Sequence, residues 1–334
     1  MDELERSVDR VAVETGFSGV VHVDVGGDVV VAKAYGNADR GRGIPNSPGT
    51  RFAVASGTKG LTALVVVGLI EEGRLDLATT ARSVLGPDLP LVDDDVTVEQ
   101  LLAHRSGIGD YLDEDAERGV NDYVLPVPVH RLARTEDYLG VLDGHPQAFR
   151  PGTRFSYNNS GFVLLALIAE RVSGTGFHDL VRDRVCAPAG MGRTAFLRSD
   201  EPAGDAAVGY LEATGPRTNV LHLPVRGTGD GGVFTTAADV VALWRALFGG
   251  RILGPAWVAE MVRPRSEQTG EELRYGLGFW LHSTSSAVVL VGSDAGVSFQ
   301  TVHDPSAGLT HTVLSNTSRG AWPVARLLRD TLTP

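Results

Sequence analysis

The sequence predicts an α+β protein: one antiparallel sheet flanked by helices, with a mainly helical second unit set between its strands. Three observations carry this. Short β-rich runs cluster at the two ends of the chain, at 20–25 and 29–34, then at 287–291, 297–302 and 309–314. Helical patterns dominate the middle. The chain has 334 residues, 43% of them hydrophobic, enough for two folding units around a packed core. The reading brings the ends together, residues 1–75 and 226–334, as the sheet unit. Residues 76–225 form the helical unit, with a cleft where the two meet.

Taken in order, residues 2–15 suit an amphipathic helix, and Gly26-Gly27-Asp28 is a hairpin signal between two β-rich runs. Gly57 to Glu72 is apolar on nearly every face and stops at Gly73, the pattern of a helix buried in the middle of the molecule. Thr97-Val-Glu-Gln100 is a capping box. Ser160 to Val172 reads as a further helix closed near Gly174. Thr236 caps another that runs to Phe248 and stops at Gly249-Gly250. Asp304-Pro-Ser-Ala-Gly308 is a turn between the last two strands, and 321–332 closes the chain as a helix.

Charge and composition narrow the function. The net charge of −11 argues against nucleic acid as a partner and against a polybasic membrane anchor. No run of 18 apolar residues occurs, and the N-terminus lacks a basic segment followed by an apolar one. On this reading the protein is cytoplasmic. The single cysteine, Cys186, reads as a buried small hydrophobe. The histidines are scattered without metal-ligand spacing, and no phosphate loop follows a strand, so neither a metal nor another cofactor is implied. Of 30 basic residues only Lys33 and Lys59 are lysines. A lysine kept in so arginine-rich a chain points to a role arginine cannot fill, and what arginine cannot do near neutral pH is lose its proton.

The chemistry centres on Ser56-Gly-Thr-Lys59. At the start of a helix, serine and lysine three apart lie on one face, one turn apart. Burial and the positive end of the helix both disfavour an ammonium there, so the amine can take the serine proton and activate a weak nucleophile. The Ser56 N–H can also face an oxyanion. A second element, Phe155-Ser-Tyr157-Asn158-Asn159-Ser-Gly161, leads from a turn into an apolar helix. It can present the Tyr157 phenol and the Asn159 amide to one cleft; taken alone, it is also compatible with a plain Asn-rich turn.

These segments stand in a telling order: Phe52 to Ala63, Glu71-Glu-Gly-Arg-Leu-Asp-Leu77, Leu101-Leu-Ala-His-Arg-Ser-Gly107, Pro151 to Gly161, and Gly231-Gly-Val-Phe-Thr-Thr-Ala-Ala-Asp239. Together they resemble the β-lactamase-like serine hydrolases, a grouping of class C β-lactamases, D,D-peptidases, D-aminopeptidases, carboxylesterases and acyltransferases. The resemblance runs from about residue 17 to about 316. It implies Ser56 as acylated nucleophile, Lys59 as general base, Tyr157 as proton shuttle, and Asn159 as the amide steadying lysine and substrate. His104 falls in a segment that reads as structural, and Gly231-Gly232 as a tight backbone passage.

The third motif of that grouping, Lys-Thr-Gly or His-x-Gly, departs. No lysine follows position 59, and the candidate strand reads Gly292-Ser-Asp-Ala-Gly-Val-Ser-Phe299. Aligning Asp294-Ala-Gly296 with the motif makes Gly296 the point of substrate approach and the Val297 N–H the second oxyanion donor. An Asp294 facing the cleft would repel a substrate carboxylate and favour a neutral or amine-bearing substrate. If strand alternation turns it away, Ser293 or Ala295 lines the cleft instead. The expected activity is hydrolysis of a small ester or amide through an acyl-enzyme. Acyl transfer, β-lactamase or D,D-peptidase activity, and a non-catalytic binding or sensing domain are the alternatives.

Overall fold

The first and last strands of the chain lie side by side. In the computed structural model, which describes residues 2–112, 119–201, 203–267 and 273–332, helix α1 (Asp2–Thr15) precedes a hairpin of β1 (Gly19–Val25) and β2 (Asp28–Tyr35). Strand β3 (Phe52–Ala53) leads through a 3-10 turn, Ala55–Gly57, into α2 (Thr58–Glu71). Then come α3 (Asn159–Ser173), β4 (Ala195–Phe196), β5 (Val233–Thr235) and α4 (Ala237–Phe248). The C-terminal part supplies β6 (Leu273–Tyr275), β7 (Trp280–His282), β8 (Val288–Asp294), β9 (Val297–Asp304), β10 (Leu309–Ser315) and α5 (Ala321–Leu332).

The main sheet runs β2-β1-β10-β9-β8-β7-β6 and is antiparallel throughout. Gly19 pairs with Ser315 and Val25 with Leu309, which joins the two chain ends as the sequence predicts. Helices α1 and α5 cover one face over Val8, Val21, Val313 and Leu328. The opposite face packs on α2 and α4 through Leu61, Leu290, Phe299, Trp244 and Leu314. Each such side chain taken from water contributes about 1.5–3 kcal/mol. Helix α2 is buried along nearly its whole length, the reason its apolar residues show no polar face.

Local signals set the helix ends. Thr97 and Gln100 form the reciprocal capping box, the Thr236 hydroxyl accepts from the Asp239 N–H at 3.2 Å, and Gly174 ends α3 in the left-handed conformation. Cys186 is buried in the core, where burial pushes its thiol up to about 12.

Two features depart from the sequence reading. Strands β6 and β7 hold three residues each, too few to show alternation among their glycines. The central segment is also less regular than expected: among the described residues its long helices are α3 and the stretch Phe177–Ala189, which passes through a π-helical turn. One apolar cluster continues from α2 and α4 into α3 and this segment. Among the described residues no single helix is long and apolar enough to cross a membrane.

Candidate active site

Ser56 sits in the 3-10 turn just before α2, half-buried. The residue before it, Ala55, has φ +44°, a left-handed conformation that costs a non-glycine residue about 1–2 kcal/mol. The turn is held in place by Val54, whose N–H donates to Val233 O at 3.0 Å and whose carbonyl accepts from Gly57 at 2.8 Å. One helical turn on, Lys59 is 1% exposed. Its Nζ lies 2.8 Å from Ser56 Oγ, 2.7 Å from Asn159 Oδ1 and 3.1 Å from the Asp230 carbonyl oxygen. The chain's other lysine, Lys33, is an ordinary surface cation paired with Asp9 at 2.8 Å.

Asn159 is the first residue of α3, and its orientation is set from both ends. The Asp110 carboxylate accepts the backbone N–H groups of Asn159 and Ser160 at 2.8 and 2.9 Å. Asn159 Nδ2 donates to Leu112 O at 3.0 Å, which turns Oδ1 toward Lys59. Burial raises the Asp110 pKa, opposed by the N–H groups aimed at it. Before the helix, Asn158 caps it by accepting the Gly161 N–H at 2.7 Å.

Tyr157 places its ring 4.9 Å from Lys59 Nζ, stacked on Trp280 at 6.0 Å and against His104 at 4.3 Å. His104 is buried, with φ +53°, and its Nδ1 accepts the Asn158 N–H at 3.1 Å. On the other side of the amine, the Asp230 carboxylate accepts the Tyr111 phenol. Burial, and then the Asp230 charge, holds that phenol well above its ordinary pKa.

The glycine of the strand that meets Ser56 lies four residues before the one the sequence alignment chose. A Cβ on Gly292 would stand 2.1 Å from Val54 O and 2.9 Å from Ser56 N, so Gly292 is the glycine pressed against the Ser56 turn. Gly296, with φ +69°, is instead the left-handed residue of the Ala295-Gly296 turn, backed by Gly209 and Tyr210, and its N–H donates to Ser318 Oγ at 2.8 Å. Asp294 and Val297 pair across this two-residue turn, so the Val297 N–H belongs to the hairpin ladder. Hydrogen-bonded and non-hydrogen-bonded pairs alternate along the ladder, so the pair Ser293–Ser298 turns the Ser293 N–H to the opposite edge. That edge of β8 packs against the Ala55–Gly57 turn. Gly296 thus sits in the turn and the Val297 N–H in the ladder, while Val297 still lines the cleft beside Ser56.

A cleft of about 850 Å³, counted to its open mouth, is lined by Ser56, Asn159, Asp230, Ser293, Asp294 and Val297 among others. Tyr157 is not in that lining and meets the site through Lys59. Both Ser293 and Asp294 wall the cleft, while Ala295 is 1% exposed and turns inward. The sequence reading passed over Asp110, Tyr111, Asp230 and Gly292. Asp110 closes the stretch that begins at His104, and Asp230 directly precedes Gly231-Gly232, so proximity to recognised segments was the available signal.

An antiparallel sheet flanked by helices, with a serine and a buried lysine at the head of the central helix, is the β-lactamase/transpeptidase-like fold. The chain belongs to the Beta-lactamase family, whose model matches residues 4–332. It is similar to a penicillin-binding protein from Bacillus halodurans, with 33% identity and a TM-score of 0.91 over 97% of this chain and 100% of that one. It also resembles the octameric penicillin-binding protein homologue of Pyrococcus abyssi, with 27% identity and a TM-score of 0.84 over 99% of this chain and 76% of that one. A D-aminopeptidase of Cereibacter sphaeroides is 29% identical over 98% of this chain. The chain spans 62% of that D-aminopeptidase's length and 63% of that of two Bacillus subtilis relatives. The same fold is seen in a D-stereospecific amidohydrolase from Streptomyces sp., with 24% identity and a TM-score of 0.80 over 99% of this chain and 98% of that one.

Proposed function

We propose that the protein is a serine hydrolase that is acylated on Ser56 by a small ester or amide and deacylated by water. The observation that carries this is the set of partners around Lys59 Nζ. Two of them, Asn159 Oδ1 and Asp230 O, are carbonyl oxygens that can only accept. Nζ donates to both and to Ser56 Oγ at 2.8 Å, so that an amine which has given up one proton can keep the two carbonyl bonds and turn its lone pair to the Ser56 hydroxyl. A buried lysine set in this way is a general base.

In the acylation step Ser56 Oγ bonds to the substrate carbonyl carbon as its proton passes to Lys59. The carbonyl oxygen becomes an oxyanion, and the Ser56 and Ser293 N–H groups are positioned to receive it. The tetrahedral adduct collapses by breaking the bond to the leaving alcohol or amine, which takes a proton relayed from Lys59 through Tyr157. Water then attacks the acyl-enzyme, gives one proton back through the same groups, and releases the acid and free Ser56.

A fluorophosphonate probe followed by peptide mass spectrometry tests this. The expected result is one adduct on the peptide holding Ser56, abolished in Ser56→Ala and strongly slowed in Lys59→Ala, together with turnover of short-chain nitrophenyl esters. Absence of labelling by any acylating probe would overturn the reading in favour of a binding domain.

A further inference from the structure

Behind the buried amine, the stretch Gly227-Thr-Gly-Asp-Gly-Gly232 passes between α2 and α3 and doubles back, with Thr228 bridged to Gly231. A Cβ on Gly229 would stand 2.0 Å from Phe162 O and 2.8 Å from Ala166 Cβ, so the backbone there lies directly on α3. Helix α2 holds the same stretch from the other side through three buried side chains. Thr58 Oγ1 accepts the Val233 N–H at 3.2 Å, Lys59 Nζ donates to Asp230 O at 3.1 Å, and Thr62 Oγ1 donates to Gly229 O at 2.6 Å.

Thr62 spends its proton unusually. A threonine inside a helix commonly returns its hydroxyl to the carbonyl four residues earlier. Here that carbonyl, Thr58 O, is 3.3 Å away, and the shorter bond goes to the loop. Lys59 and Thr62 are neighbours on one helix face and take two successive carbonyls of one segment. With Gly229 O fixed, the Asp230 carbonyl can swing only about the two backbone dihedrals of Asp230. The Asp230 carboxylate, which accepts the Tyr111 phenol, restricts that swing further.

We infer that Thr62 is a positioning residue for the general base: its hydroxyl fixes the Gly229–Asp230 peptide, and through it the carbonyl that aims Lys59 Nζ at Ser56. The role rests on the reading of Lys59 as general base.

Thr62→Val keeps the side-chain shape and removes the hydroxyl. With a short-chain nitrophenyl ester, kcat per folded molecule should fall about 10- to 100-fold while KM stays within about threefold. A carbonyl acceptor favours the ammonium over the amine, so its loss should move the acid limb of the kcat/KM profile to lower pH, by about half a unit or more. Among the described residues, the titratable groups around Lys59 are Tyr157, His104 and the carboxyls of Asp110 and Asp230. The Thr62 hydroxyl bonds to none of them. Thr62→Ser should return kcat to within about threefold of wild type and restore the acid limb. Thr62→Ala, which introduces no clash, should repeat the valine result. His178→Phe removes another bond to the loop, from Nε2 to Gly227 O at 2.8 Å, at a carbonyl remote in sequence from the one that meets Lys59. It should lower stability and leave kcat within about threefold.

Unchanged kcat in Thr62→Val and Thr62→Ala, a fall in kcat with an unmoved acid limb, no recovery in Thr62→Ser, or an equal loss in His178→Phe would overturn the positioning role. Wild-type labelling by fluorophosphonate with any of these outcomes removes Thr62 alone. A wild-type protein that neither labels nor turns over esters removes the hydrolase reading and the positioning role with it.

Discussion

Nδ1 of His104 accepts the backbone N–H of Asn158 at 3.1 Å, and so one imidazole holds the peptide that separates Tyr157 from Asn159. Because Nδ1 is the acceptor, the neutral ring carries its proton on Nε2. That atom is buried and has no hydrogen-bond partner among the described residues; the rings of Tyr157, Phe162 and Tyr275 surround it. Burial above all holds the His104 pKa well below the ordinary imidazole value, so the acceptor survives at neutral pH.

Replacing His104 by alanine leaves the Asn158 N–H unpaired and opens space among the rings of Phe155, Tyr157, Phe162 and Tyr275. The expected loss is about 2–4 kcal/mol in urea unfolding, with kcat reduced more than KM is raised. His104→Asn should recover a good part of both, since asparagine keeps an acceptor near Nδ1 and tolerates φ +53°. Identical losses in the two variants would remove the positioning role.

Stability should fall as the medium is acidified well before carboxylates titrate. Burial pushes His178, His303 and His311 down to about 4, and His104 is lowered as well. These groups stay neutral in the folded chain while the unfolded chain takes up protons below about 6.5. The stabilisation is fully present above about 6.5 and is lost as pH falls toward 4, each ring contributing up to about 1.4 kcal/mol per pH unit inside that window. Urea titrations at about pH 7 and pH 5 measure it. His311→Leu removes one such ring and should flatten the slope; an unchanged slope would count against the assignment.

Lys59→Arg should be nearly inert toward esters, with activity down by at least about 10³-fold, because guanidinium holds its proton and cannot serve as a base. A hydroxyl activated by charge alone would leave the arginine variant close to wild type, and burst kinetics with a nitrophenyl ester separates the two outcomes.

Two glycines of one hairpin should fail in different ways. Gly292→Ala puts a methyl 2.1 Å from Val54 O and 2.9 Å from Ser56 N, which moves the strand off the Ser56 turn and should lower kcat by about 10²-fold or more. Gly296→Ala puts a side chain at φ +69° against Gly209 and Tyr210, which should cost stability, about 1–2 kcal/mol or more, while the folded fraction keeps most of its kcat. Parallel denaturation curves and turnover numbers check the pair; the reverse pattern would restore the alignment on Gly296.

Much of this architecture was legible in the linear chain because its causes are local. The spacing of Ser56 and Lys59 puts both on one helix face whatever the rest does. The apolar run to Glu72, the capping box at Thr97 and the threonine cap at 236 mark their helices through side chain and backbone alone. The scarcity of lysine singled out Lys59 before any coordinate was known. Tertiary structure alone decided which distant groups grip that lysine. Asn159 Oδ1 is 100 positions away and the Asp230 carbonyl 171, and a backbone carbonyl has no signature in a sequence. It also decided that Gly292 and not Gly296 meets the Ser56 backbone. Both lie among small residues and look alike in text, and they are told apart by the register of β8 against β9 and the Ser56 turn, which the whole sheet sets.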